Sequence, residues 1–173
     1  MATWTYSEGK ADTAFGDGST HVGWAPQTYC YGAAMTLSAG TVTRLAAYTD
    51  SNGGAGVTLK LGLYDSGGTL IVQGSVGLPT SSTKAWNIAD VADTAISGGT
   101  YYVLGSGSTS GLRYGYDTTG NGYYASVAYA SAMASSATID GPEVSTQYGV
   151  GAEVEASGGA TSRQGLMLMS VGR

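Results

Sequence analysis

Apolar residues recur at every second position through much of this chain. Val57, Leu59, Leu61 and Leu63 fall on one face of an extended segment and Thr58, Lys60, Gly62 and Tyr64 on the other, the period that side chains follow along an amphipathic β-strand. Asp65-Ser66-Gly67-Gly68 then breaks the run and 69–76 resumes β character, so the spacing predicts a hairpin. Upstream, Val42, Arg44, Ala46 and Tyr48 alternate with Thr43, Leu45, Ala47 and Thr49, up to the turn-forming Asp50-Ser51-Asn52-Gly53-Gly54. Further strands are expected over 85–89, 100–105, 112–116, 123–129 and 165–171, with another near Val22. The Ala-rich run 129–137 lacks an apolar stripe of helical period and reads as a strand end plus loop. Pro26, Pro79 and Pro142 fall in expected loops. Counted together, these runs predict an all-β antiparallel sandwich of jelly-roll type with about eight to ten strands. It forms one domain over 1–173, with an extended N-terminal arm over about 1–24.

Composition sharpens this picture. The chain has 29 Gly and 13 Tyr, yet only 11% of its residues are charged. So much glycine can mean disorder, but a 42% hydrophobic fraction arranged in short regular clusters means an ordered β fold. Its length suffices for a core without staples. The net charge of -5 and the absence of any basic stretch argue against a nucleic-acid partner. No signal sequence and no membrane span is expected from the apolar runs. Cys30 is the single cysteine, so no intrachain disulfide can form.

Candidate chemistry is sparse. His21 is the only histidine, and Gly18-Ser19-Thr20-His21-Val22-Gly23 matches no nucleophile motif. One Cys and one His cannot supply a zinc site. Glu153 and Glu155 would share a strand face, but paired glycosidase carboxylates come from different strands across a cleft, so a solvated acidic face is expected. The oxygen-rich loops at Asp50, Asp65 and Asp117 to Asn121 do not follow the EF-hand pattern, and Asx-turn chemistry accounts for them. No catalytic residue, cofactor or metal is expected.

Aromatic residues stand out instead. In adjacent pairs such as Tyr101-Tyr102 and Tyr123-Tyr124 one ring faces the core and its neighbour faces outward. A candidate binding surface follows: Trp4, Tyr6, Trp24, Tyr102, Tyr114, Tyr116, Tyr123 and Tyr124. Such rings stack on sugars or anchor protein interfaces. Trp4, Tyr6, Phe15 and Trp24 have few apolar companions in their own segment, so their burial needs a surface from the sandwich or from a partner.

Within 42–105, the order Leu61-Gly62-Leu63-Tyr64-Asp65-Ser66-Gly67-Gly68-Thr69-Leu70, then Trp86, then Gly98-Gly99-Thr100-Tyr101-Tyr102-Val103 resembles extracellular and viral jelly-roll modules. Bacterial carbohydrate-binding-like sandwiches carry a similar order. The abundance of Gly, Ser, Thr and Tyr beside scarce Lys is similar to phage capsid decoration and fibre domains. The resemblance follows fold geometry, so no sugar-binding residue is carried over. It implies a non-enzymatic virion structural protein, a capsid decoration or appendage subunit located on the virion. Its partners would be the major capsid protein or another virion protein and further copies of itself, as a trimer. The alternative is a carbohydrate-binding module or adhesin domain that holds a glycan on exposed Tyr and Trp.

Overall fold

The computed structural model describes residues 1–7, 20–21, 28–51, 56–109, 111–117, 120–130, 132–144 and 146–156. Two antiparallel sheets pack face to face, and no α-helix occurs among the described residues. Sheet I contains β1 (Ala2–Tyr6), β2 (Thr20–His21), β4 (Gly40–Ser51), β7 (Ala85–Ile96), β9 (Leu112–Asp117), β12 (Gln147–Tyr148) and β13 (Val150–Ala156). Sheet II contains β3 (Cys30–Leu37), β5 (Val57–Asp65), β6 (Leu70–Leu78), β8 (Gly99–Gly107), β10 (Asn121–Ala125) and β11 (Ile139–Val144), in the order β11-β10-β3-β8-β5-β6. The all-β antiparallel sandwich expected from the sequence is therefore the observed architecture.

The predicted hairpin is β5–β6, with Leu59 opposite Val76 and Leu61 opposite Gly74. Its turn is closed by Asp65, whose Oδ1 accepts from the amides of Gly67 and Thr69, each at 2.9 Å. Gly68 supplies the φ of 79° that the turn requires. Val57, Leu59, Leu61 and Leu63 enter the core between the sheets together with Leu37, Val42, Leu45, Val103 and Val150. Each fully buried leucine among them contributes roughly 1.5–3 kcal/mol.

Several expectations need correction. The run 42–49 does not keep one alternation: the pairing of β4 with β7 shifts between Val42 and Arg44. This bulge turns Val42 to the core beside Leu45 and Ala47, whereas Arg44 stays outside. The sequence pattern had placed Val42 with Arg44. Residues 2–6, the first part of the arm expected over about 1–24, lie on the sandwich itself, where β1 pairs along β13 from Ala2–Glu155 to Tyr6–Gly151. β3 was not expected, since Cys30 to Ala33 is buried on both faces and only Thr36 of the strand is exposed, which leaves little polar alternation to read. Pro142 lies in β11 rather than a loop; β11 is an edge strand with a register irregularity at this point, where proline is tolerated. The expected strand 123–129 is shorter, Asn121–Ala125. Phe15, Trp24, Val22 and the expected strand 165–171 lie outside the described residues, as does the side chain of His21.

The second face of β5 is not solvated. Tyr64 is fully buried, and Lys60 is nearly so, because the irregular segment after β10 straps across the outside of sheet II. Leu70 N donates to Ser135 O at 2.9 Å, Ala137 N to Gly68 O at 2.9 Å, Met133 N to Gln73 Oε1 at 2.6 Å and Tyr64 OH to Ala134 O at 3.1 Å. Lys60 Nζ donates to Ala130 O and sits 4.4 Å from the centre of the Tyr129 ring. Beneath the strap, Cys30, Tyr64, Leu104, Ala125 and Met133 form a second apolar cluster.

Close packing of backbones explains part of the glycine content. A Cβ on Gly32 in β3 would fall on the carbonyl oxygen of Val103 in β8, whereas one on Gly77 in β6 would meet nothing within 4 Å. Gly32→Ala is expected to lower stability by about 2–3 kcal/mol, and Gly77→Ala to leave it unchanged or raise it by up to about 1 kcal/mol. Urea unfolding midpoints of the two variants check this pair of outcomes.

Candidate functional site

The outward face of sheet I carries a line of aromatic rings over a floor of small residues. β1 contributes Trp4 and Tyr6, β4 contributes Tyr48 and β7 contributes Trp86. Strand register brings them together: Tyr6 lies opposite Gly151, Gly151 opposite Ala46, and Tyr48 opposite Trp86. The missing side chains at the glycines make room, since a Cβ on Gly151 would stand 2.7 Å from Tyr6 Cδ1 and one on Gly115 would collide with the Tyr48 ring. Trp4 and Tyr6 stack at 5.4 Å with planes 16° apart. Tyr6 and Trp86 meet at 4.6 Å and 57°, and Tyr48 and Trp86 at 5.6 Å and 56°. All four rings are half-buried. Beside them Ile88, 42% exposed, is an exposed large apolar side chain of the strand interior.

An ion pair braces this line at its β1 end. Arg44 Nε and Nη2 donate to the two carboxylate oxygens of Glu153 at 2.5 and 2.6 Å, and Thr43 Oγ1 donates to Oε2 at 2.7 Å. The same guanidinium lies 5.7 Å from the centre of the Trp4 ring. The hydrogen bonds from Arg44 hold the Glu153 carboxyl below its ordinary range, against the opposing effect of burial. Glu153 is thus ionised at neutral pH, although a general acid must carry its proton there. Glu155 stands exposed two residues on. The expected solvated acidic face holds for Glu155 only, because Glu153 is buried in its pair with Arg44.

The remaining candidate residues fall into other places. Tyr114 is a core residue, 3% exposed, and does not belong to a surface: it faces between the sheets, where Tyr31, Tyr114 and Tyr148 meet with centroids 5.2–6.2 Å apart. Tyr116 and Tyr124 are half-buried against the same core, and Tyr29 meets Tyr124 edge-on at 6.1 Å. Tyr102 and Tyr123 pack together at 5.0 Å under the strap's cluster. The core-in, neighbour-out rule for adjacent tyrosines holds, with Tyr101 and Tyr124 toward the intersheet core and Tyr102 and Tyr123 away from it. The outward neighbours are half-buried, packed against the second apolar cluster and against each other. The structure therefore unites Trp4 and Tyr6 of the expected surface and adds Tyr48 and Trp86.

Elsewhere, polar side chains are committed to the fold. Asp50 takes a two-pronged contact from Arg113 at 2.6 and 2.8 Å, and Asp65 closes its turn as the Asx-turn reading has it. Burial pushes the Cys30 thiol up to about 11, so it is protonated near neutrality. Among the described residues no group of three or more His, Cys, Asp or Glu side chains is placed to hold a metal ion. No helix of the described residues is long and apolar enough to cross a membrane. No protein-family model, no curated protein and no solved structure matches this chain.

Two outcomes follow from these environments. A carboxyl whose folded-state pKa is depressed contributes stability that is present above its ordinary value of 4.5 and is lost as pH falls through the folded value. Glu153→Gln cannot titrate, so thermal melts should show a lower Tm than the parent at pH 7 and a smaller fall in Tm between pH 7 and pH 3. Second, the buried Tyr114 hydroxyl has no hydrogen-bond partner among the described residues, and burial raises its pKa. Removing an unsatisfied buried hydroxyl relieves a desolvation cost. Tyr114→Phe should leave stability unchanged or raise it by about 1 kcal/mol in urea titrations, and a loss of that size would show that the hydroxyl is bonded.

Proposed function

We propose that this chain is a non-enzymatic structural protein of a virion, a capsid decoration or appendage subunit that docks on other protein subunits through the outer face of sheet I. The observation that carries the reading is the ring line Trp4–Tyr6–Trp86–Tyr48 flanked by Ile88. Aromatic anchors surrounded by polar groups are the pattern of protein contact surfaces. A sugar platform needs ring faces turned outward and roughly coplanar. Here Trp4 and Tyr6 cover each other's faces, and the other two pairs are tilted by 57° and 56°. That geometry favours a protein partner over a glycan. The composition supports the assignment to a virion, with 29 Gly, 13 Tyr and few charges, as does the net charge of -5, which disfavours nucleic acid.

Quantitative mass spectrometry of virus particles purified from the cells that make the chain tests this reading. The expected result is a copy number in simple ratio to the capsid subunit, reduced by Ile88→Lys at unchanged Tm. Absence from particles, together with retardation in polysaccharide-containing gels that Trp86→Ala abolishes, would replace it with the carbohydrate-binding reading.

A further inference from the structure

We infer that β1 is a self-recognition edge, through which two copies of this chain pair antiparallel about Trp4 to join their two sheets I into one. The starting point is how the sheet edges end. Unpaired edge strands template association unless charge, proline, bulges or cover block them. In sheet II, β11 is blocked by Pro142, by its irregular register and by the exposed Asp140 and Glu143. β6 and β7, the edges at the other side of the sandwich, lie against each other, with a Cβ on Gly74 only 2.5 Å from Asp90 O. Among the described residues β1 carries no charge, no proline and no bulge. Its sequence is Ala-Thr-Trp-Thr-Tyr, and among the described residues it pairs with β13 alone.

The sequence of β1 also fits a copy of itself. Antiparallel pairing centred on Trp4 places Thr3 opposite Thr5 of the second copy, Trp4 opposite Trp4, and Ala2 opposite Tyr6. Thr–Thr and aromatic–aromatic pairs are among the favourable cross-strand combinations, and a small residue opposite Tyr6 leaves space for its ring. A two-fold contact of this kind is self-complementary by construction. It would carry the ring line of one copy through Trp4 into that of the other, making the aromatic face continuous across the pair. This inference extends the reading of that face as a protein contact, but it rests on strand geometry and holds with or without a virus particle.

Sedimentation velocity on the full chain tests it with a charge swap. The parent is expected to be a concentration-dependent dimer. Thr3→Lys/Thr5→Lys sets lysine against lysine across both pairs and should weaken the dimer by about tenfold or more. Thr3→Lys/Thr5→Glu sets lysine against glutamate and should restore it. Hydrogen exchange on the parent provides a readout independent of any variant: the amides of 2–6 should gain protection as concentration rises while those of β5 do not change. A parent that stays monomeric at high concentration overturns the inference. So does a trimer, a dimer indifferent to both charge variants, or protection in β1 that does not depend on concentration. Particle composition, the test of the virion reading, can fail while this one succeeds, and the reverse.

Discussion

The bulge in β4 between Val42 and Arg44 governs what each face of sheet I carries. Without it, a strict two-residue period would put Val42 on the same side as Arg44, and either an apolar side chain would leave the core or a guanidinium would enter it. With it, Val42, Leu45 and Ala47 line the intersheet core, and Arg44, Ala46 and Tyr48 face out. The pairing of β13 with β4 shifts between Glu153 and Val154, so Arg44 remains opposite Glu153 while Val154 turns inward beside Val42. Everything on the outer face follows: the ion pair, the guanidinium beside Trp4, and the small-residue floor on which Tyr6 lies.

A chain with 11% charged residues has few ion pairs to spend, and those described are placed where backbone geometry alone would leave a gap. Arg113 reaches Asp50 at the end of β4, where β9 takes over from β13 as its neighbour. Lys60 lies under the strap with its ammonium on a carbonyl and an aromatic ring. Hydroxyls do the remaining work: Ser7 donates to Tyr148 O at 2.8 Å and accepts from Val150 N at 3.2 Å, tying the end of β1 to the start of β13. Serine and threonine thus satisfy buried backbone without the desolvation cost of a charge.

The sandwich class and the β5–β6 hairpin were legible in the sequence because strict alternation and a glycine-bounded turn are local signals. The strand β3 was not, because its first half, Cys30 to Ala33, is buried on both faces and has no polar period to read. The ring line was half legible. Trp4 and Tyr6 announce themselves as aromatics two apart, but Tyr48 and Trp86 join them only through the register of β4 on β7, a long-range fact. Tyr114 shows the converse: its place in an alternating run is equally compatible with either face, and only the pairing of β9 with β4 turns it inward. The strap was foreseen as loop but not as cover, since nothing in its alanines and serines specifies the sheet it lies on.

That cover makes sheet II a partition wall. The core between the sheets lies on one side of it and the cluster of Cys30, Tyr64, Leu104, Ala125 and Met133 on the other, so adjacent residues of β5 and β8 serve two separate compartments. The outer compartment is closed by one contiguous stretch of chain whose ends are anchored in neighbouring strands, β10 and β11. Lifting this stretch would uncover the outer cluster alone, because the inner core is closed by the two sheets themselves. The same arrangement separates two kinds of sequence change. A substitution in the strap would meet the outer cluster first, whereas one at Leu63 or Val103 would meet the core between the sheets.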